Sequence, residues 1–271
     1  MILCGYDWSE LDLFAEKRQE LIEEMLHRNK AVTTKELMET FSVSIETVRR
    51  DLLYMEQKKI LKRVHGGAVI MGETKPFKDL NYRLNENDES KKNLCAIAAH
   101  VVEEGDIVGI DTGSTAVYFA QELKNRFENL TVVTYSLDVF NILCRHKDFK
   151  VFLCGGSFYP QENAFAGIFA ADALKKLNMQ KIFLFPYAVS WQHGICSYLE
   201  ELYPLQKLLL EQGDKVYILA DSSKFECKAL FKIADMDSRY FYITDKYLPK
   251  KLKNMYSQNN IKIIIDKEDI I

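Results

Sequence analysis

SVSIETVRRDLLYMEQKKILKRVHGG, running from Ser42 to Gly67, joins an apolar stripe at helical spacing to a crowd of arginine and lysine, then stops at two glycines. Set at 100° per residue, Ile45, Val48, Leu52 and Met55 fall on one face, the expected core side. Arg50 points the opposite way, with Glu46, Thr47 and Tyr54 beside it and Arg49 on the flank. Ser44 stands where its hydroxyl accepts a first-turn N–H of this helix. A helix that follows a tight turn and shows Thr, Arg and Tyr outward suits a major groove, where arginine bonds a guanine edge bidentately. The segment ILKRVHGGAVI alternates charged and apolar residues around Gly66-Gly67 and reads as a short hairpin or wing. Lys62, Arg63, His65 and Gly66 would then meet the phosphate backbone or the minor groove.

Upstream, AEKRQELIEEMLHRN places Leu21, Ile22 and Met25 on one side of a first helix. TTKELMETF begins at a Thr33-Thr34 cap and carries Leu37 and Phe41 four apart on a second. On charge alone such a run reads equally well as a solvated face. The order of two short helices, a turn through Ser42-Val43, a polar-faced helix and a basic wing decides for DNA. Between Arg49 and Arg63 six basic residues meet two acidic ones, while the whole chain carries 36 Lys and Arg against 39 Asp and Glu. One basic face on an acidic molecule is the pattern of contact with a polyanion.

Downstream, MGETKPFKDLNYRLNENDES (71–90) is polar without a sustained period and is expected to be a linker. From Lys91 on, apolar runs alternate with amphipathic segments: DIVGID, TVVTYS, KVFLCGG, KIFLFPYAV, KVYILAD, RYFYITD and IKIIID. That alternation implies an α/β domain with a mostly parallel sheet covered by helices. The expected organisation is a winged helix-turn-helix domain with its N-terminal extension over residues 1–70, a linker over 71–90, and an α/β effector-binding and oligomerisation domain over 91–271. In the extension, Tyr6, Trp8, Leu11 and Phe14 are placed to pack on the first helix or on a partner subunit.

The 271 residues suffice for about two domains. No apolar run approaches the roughly 18 residues of a membrane span, and the first residues lack a basic n-region, so a cytoplasmic protein is expected. Six cysteines without a CxxC pair and five scattered histidines point to reduced thiols and to neither a metal nor another cofactor.

KELMETFSVSIETVRRDLLYMEQKKILKRVHGGAV closely resembles the signature of the DeoR family of bacterial transcriptional regulators, over roughly residues 17 to 69. The resemblance implies a winged helix-turn-helix in which Thr47, Arg49 and Arg50 face double-stranded DNA and the wing assists.

In the second domain, GIDTGSTAVYFAQEL is a strand, a glycine turn and a helix start. The N–H groups of Gly113, Ser114 and Thr115 would cradle an anion such as a phosphate, and Asp111 at the strand end would hold a sugar hydroxyl. Other strand ends add Thr134, Gly155, Gly156 and Lys224. A plain strand-to-helix turn and an exposed loop lysine would also explain these residues. Together they resemble the DeoR effector domain, over most of residues 77 to 250, which implies a fold like that of ribose-5-phosphate isomerase and a phosphorylated-sugar effector. The chain departs from that pattern at Tyr135, where asparagine is usual, at Phe185 and Ala188, where glycines are usual, and in NAFAGI, which keeps Gly167 without the proline.

The reading is a sequence-specific regulator, a repressor of carbohydrate-metabolism genes released by its effector and acting as a homodimer or homotetramer on two-fold operators. Two alternatives compete with it: a regulator whose pocket Tyr135 and Phe185 have closed, and a sugar-phosphate isomerase using Asp111, Asp221 or Lys224. No catalytic residue is assigned.

Overall fold

The structure is a computed structural model that describes residues 15–29, 31–58, 60–64, 67–70 and 78–270. Tyr6, Trp8, Leu11, Phe14, His65 and Gly66 lie outside the described residues, as does the side chain of Lys62. The chain divides into two units, residues 1–73 and 74–271.

The first unit runs α1 (Ala15–Asn29), β1 (Ala31–Thr33), α2 (Thr34–Phe41), α3 (Ile45–Gln57), β2 (Leu61–Val64) and β3 (Gly67–Ile70). Thr33 closes a capping box on α2: its hydroxyl accepts the Glu36 N–H at 3.1 Å, and the Glu36 carboxylate accepts the Thr33 N–H at 3.3 Å. Ser42 adopts the left-handed conformation at φ 53°, which turns the chain into α3. Ser44 then caps α3 by accepting the Thr47 N–H at 3.2 Å. Val48, Leu52 and Met55 pack with Ile22, Leu26, Leu37 and Phe41 in one core. Ile45, expected among them, is 38% exposed, because the first residue of α3 lies at the end of that stripe, outside the core cluster.

β2 and β3 form the anticipated antiparallel wing. The three-stranded sheet has the order β1-β3-β2, and the short strand β1 was not legible in the sequence. It explains a glycine. Gly67 sits opposite Thr33 within the sheet, and a Cβ there would lie 2.0 Å from the Val32 carbonyl oxygen. Close backbone approach, rather than a turn, requires glycine at 67.

The second unit opens with α4 (Leu80–Leu84) and α5 (Asp88–Ala98), followed by β4 (Ile107–Ile110), α6 (Ser114–Arg126), β5 (Thr131–Thr134), α7 (Leu137–Leu143) and β6 (Lys150–Leu153). A hairpin of β7 (Ser157–Tyr159) and β8 (Ala164–Ala166) leads through α8 (Ile168–Leu174) to β9 (Met179–Leu184). Next come β10 (Ala188–Ser190), β11 (Gly194–Ser197), α9 (Tyr203–Gln212), β12 (Gly213–Leu219) and β13 (Phe231–Ala234). The chain then adds β14 (Tyr240–Ile243), α10 (Lys250–Gln258) and β15 (Ile263–Ile264).

The seven apolar runs read from the sequence supply the seven strands of one parallel sheet, ordered β15-β14-β12-β9-β4-β5-β6. Both faces are buried, so the strands are apolar on both sides. Leu94, Phe119, Leu123 and Val139 cover one face, over Val108, Val132 and Phe183. Leu174, Leu205, Leu209 and Tyr256 cover the other, over Val133, Ile182 and Ile218. After β6 the chain crosses back to the far side of β4, so the strand order reverses between β4 and β9. Ligands of α/β sheets collect at the carboxyl ends of strands flanking such a reversal.

The expected linker needs correction. Residues from Lys78 on belong to this unit, where Lys78 donates its N–H to the Tyr187 hydroxyl at 2.8 Å and Leu80 donates to the Gln161 carbonyl at 3.0 Å. The stretch lacks helical period because tertiary hydrogen bonds, and not an amphipathic stripe, hold it in place.

Candidate functional site

On α3, Glu46, Arg49, Arg50 and Tyr54 are exposed and Thr47 is half-buried, the outward face expected from the spacing. Their fixings differ. Arg49 Nη1 donates to Glu46 Oε1 at 3.0 Å, a solvated pair. Arg50 makes no ion pair among the described residues. Arg63 is tied back to the end of α3: its N–H donates to Glu56 Oε1 and its Nε to Glu56 Oε2, each at 2.8 Å. Arg63 therefore fixes the wing on α3, and half of its expected role is structural. Asp51, within the arginine-rich motif, points inward. It accepts from Arg18 Nε at 2.6 Å and from Gln19 Nε2 at 3.0 Å, locking α3 to α1 inside the core.

In the second unit a cavity of about 260 Å³ lies at the carboxyl ends of β4, β9 and β12. β4 contributes Ser114 at the first turn of α6. Gly113 before it has φ 126°, a conformation that favours glycine, and no side chain caps the helix. The first N–H groups of α6 thus keep their capacity for an anion. β12 leads to Asp221, Ser223 and Lys224, and β9 leads to Tyr187. Lys224 Nζ donates to the Pro186 carbonyl at 2.9 Å.

The remaining wall comes from the stretch expected to be linker: Lys78, Arg83, Glu86, Asn87 and Lys91. Four cations against two carboxylates make the cavity positive. Arg83 pairs with the buried Glu162, lies 5.5 Å from the Tyr187 ring, and would stand 3.7 Å from a Cβ on Gly113. Lys91 is buried, its ammonium held by the carbonyls of Arg83 and Glu86 beneath the α4–α5 turn. Burial lowers its pKa. Asn87, in the left-handed conformation at φ 53°, donates to Asp221 Oδ1 at 3.2 Å and to Ser223 Oγ at 3.1 Å. The sequence signal for these residues was the spacing of Lys78, Arg83 and Lys91 in a polar segment that carries no apolar face.

Of the expected effector residues, Ser114 and Lys224 line the cavity and Gly113 makes its turn. Thr115 is buried just behind, its hydroxyl without a hydrogen-bond partner among the described residues. The others lie elsewhere. Thr134 accepts the Ser136 N–H at 3.0 Å and shapes the start of α7. Gly155 is exposed, and Gly156 serves the β7–β8 hairpin, since a Cβ there would meet the Ala166 carbonyl at 2.3 Å. Asp111 is wholly enclosed. Its carboxylate accepts from the Tyr135 hydroxyl, from the Phe185 N–H at 3.1 Å and from Gln206 Nε2 at 3.1 Å. Burial raises its pKa, and also that of Glu162. The hydroxyl that Asp111 was expected to hold is thus supplied by Tyr135 of the chain itself. Ala188 is buried on β10, and Phe185 packs 6.1 Å from Phe119.

Among the described residues, no helix is long and apolar enough to cross a membrane. The DeoR-like helix-turn-helix domain profile matches residues 18–74, and the DeoR C terminal sensor domain profile matches 86–246. The HTH-type transcriptional regulator GolR of Listeria innocua is 28% identical over 253 residues, 93% of this chain and 99% of that protein. The lactose phosphotransferase system repressor of Lactococcus lactis is 32% identical over 212 residues, 78% of this chain and 83% of that one. Ribose 5-phosphate isomerase A of Methanocaldococcus jannaschii aligns over 52% of this chain and 55% of its own at 17% identity and a TM-score of 0.37, which decides neither fold nor activity. With both of its domains matched and its relatives covered nearly end to end, the chain belongs to the DeoR family of transcriptional regulators.

Proposed function

We propose that this regulator is a cytoplasmic repressor of carbohydrate-use genes, released when a phosphorylated sugar fills the cavity of its second unit. One observation carries the effector reading: two strand ends and α4 bring Ser114 on an uncapped helix N-terminus, Lys224 and Arg83 to one cavity. Uncapped N–H groups and cations together match the geometry and charge of a phosphate monoester. Arg50, Thr47 and Tyr54 would read base edges, while Ser44, Glu46, Arg49, Lys62, Arg63, His65 and Gly66 set the helix and wing against the backbone. A homodimer or homotetramer fits the two-fold symmetry of operator half-sites. The regulation of sugar systems by relatives supports the target class; the Lactococcus protein is named as a lactose phosphotransferase system repressor.

The reading in which Tyr135 and Phe185 close the pocket finds less support. Tyr135 is spent on Asp111, and neither residue lines the large cavity. The test is a gel-shift titration of the full chain on an operator selected from random DNA, with and without a panel of phosphorylated sugars. Specific binding relieved by one compound is the expected result. A protein that selects no sequence, or whose complex no compound alters, would sink the proposal.

A further inference from the structure

A second cavity, of about 20 Å³, adjoins the first, and Arg83 and Tyr187 line both. Its volume is room for about one water-sized group. Thr112, Ser197, Glu162 and Gln206 contribute to its wall. Gln206 is 4% exposed, and its Nε2 donates to Asp111 Oδ2 at 3.1 Å. The carboxylate fixes the orientation of that amide, because a carbonyl oxygen turned toward it would be repelled. Gln206 Oε1 is therefore a buried acceptor, and among the described residues nothing donates to it. Buried acceptors without a donor are rare in folded proteins and costly. Two of the donors in the wall are engaged elsewhere: Thr112 Oγ1 donates to the Glu162 carbonyl at 3.1 Å, and Arg83 holds the Glu162 carboxylate. The small cavity thus presents an unmet acceptor beside the Glu162 carboxylate and the Arg83 guanidinium paired with it, while the large one presents an excess of cations.

We propose that the small cavity is a hydroxyl-reading subsite of the same ligand: the phosphoryl group sits by Ser114 and Lys224, and a hydroxyl at the other end donates to Gln206 Oε1. This rests on the anion site proposed above. It adds a selectivity: polyol phosphates are accepted, and sugar-acid phosphates of equal length are refused. A terminal carboxylate brings no donor and sets its oxygens against Gln206 Oε1 and the Glu162 carboxyl.

The experiment is calorimetric titration of the full chain with inorganic phosphate, with polyol monophosphates of three to six carbons, and with the aldonic acid phosphate of each length. Gln206→Met removes the acceptor, and Ser197→Val fills the small cavity without touching Asp111. At least one polyol phosphate should bind about tenfold tighter than both inorganic phosphate and its acid counterpart. Either variant should bring that polyol phosphate down to the affinity of inorganic phosphate. If Gln206→Met fails to fold, Ser197→Val decides. Equal binding of polyol and acid in the wild type, or a preference that survives in the variants, overturns the subsite and leaves the anion site standing. If neither inorganic phosphate nor any ester binds, the anion site fails and the subsite with it.

Discussion

Arg50 and Arg83 are both arginines at a proposed anion-binding surface, yet the chain treats them differently. Arg50 leaves α3 into solvent with no ion pair among the described residues, and a solvated guanidinium needs none. Arg83 is largely withdrawn from water, with Glu162 on its guanidinium, the Lys78 carbonyl accepting from Nε at 2.8 Å, and Tyr187 alongside. On the proposed reading, Arg50 stays ready for a partner that arrives with its own counterions to release. The second holds them in place before any ligand arrives, which lowers the ordering cost of binding. Arg18 shows that the first unit also uses the buried mode, for architecture: its pair with Asp51 is enclosed and holds α3 on α1.

The largest effect should come from that enclosed pair. Asp51→Ala breaks the buried pair with Arg18 and takes the acceptor from Gln19 Nε2, and should destabilise the fold by about 3–5 kcal/mol in urea unfolding of the full chain. Glu46→Ala, which frees the solvated Arg49, should cost less than about 1 kcal/mol. Equal costs would erase the contrast between the two kinds of arginine.

At a hundredfold excess over its dissociation constant, a phosphorylated ligand should stabilise the folded chain by about 2.7 kcal/mol. Lys224→Met or Ser114→Asp should abolish the matching rise in Tm while Arg50→Ala retains it. A rise that persists in both cavity variants would move the anion elsewhere.

Arg50→Ala should weaken a selected operator by about 1–3 kcal/mol, roughly fivefold to 150-fold, and relax preference at one base pair. Thermal stability should stay unchanged. A uniform loss across all sequences would make Arg50 a phosphate contact instead.

The smallest effect is a pH dependence. Burial holds the Asp111 carboxyl above its ordinary value of 3.8, so the native state keeps its proton longer than the unfolded chain does. Its stabilising contribution is present at low pH and is lost as the pH rises through the folded value. Asp111→Asn does not titrate, so its Tm relative to wild type should climb as the pH rises above 3.8. Glu162 is coupled to Asp111, whose charge helps to raise its pKa, so the difference reports the two buried carboxyls together. A flat difference would mean that Tyr135, Gln206 and the Phe185 N–H compensate for the buried charge completely.

The helices of the first unit, their caps at Thr33 and Ser44, and the outward set Glu46, Arg49, Arg50 and Tyr54 were legible because local chemistry decides them. Helical period and capping oxygens act within four residues. The seven strands were legible for a similar reason: an apolar run between polar turns has few other uses. The positions of Ser114 and Lys224 at the ends of their strands, where they line the cavity, were legible too.

What only the tertiary structure decided depends on residues far apart in sequence. Gly67 answers to Val32 through a strand too short to show a period. Residues 78–91 look like a linker because their side chains serve a cavity, and their positions are set by Tyr187, Gln161 and Glu162. Asp111 carries the motif of a ligand-binding strand end, but Tyr135 and Gln206, 24 and 95 residues away, enclose it and saturate its carboxylate. The sequence by itself determined where helices, strands and exposed cations stand, since those follow from neighbours along the chain. Which charges are sealed and which remain open to a ligand is set by packing across the fold, and no local pattern encodes it.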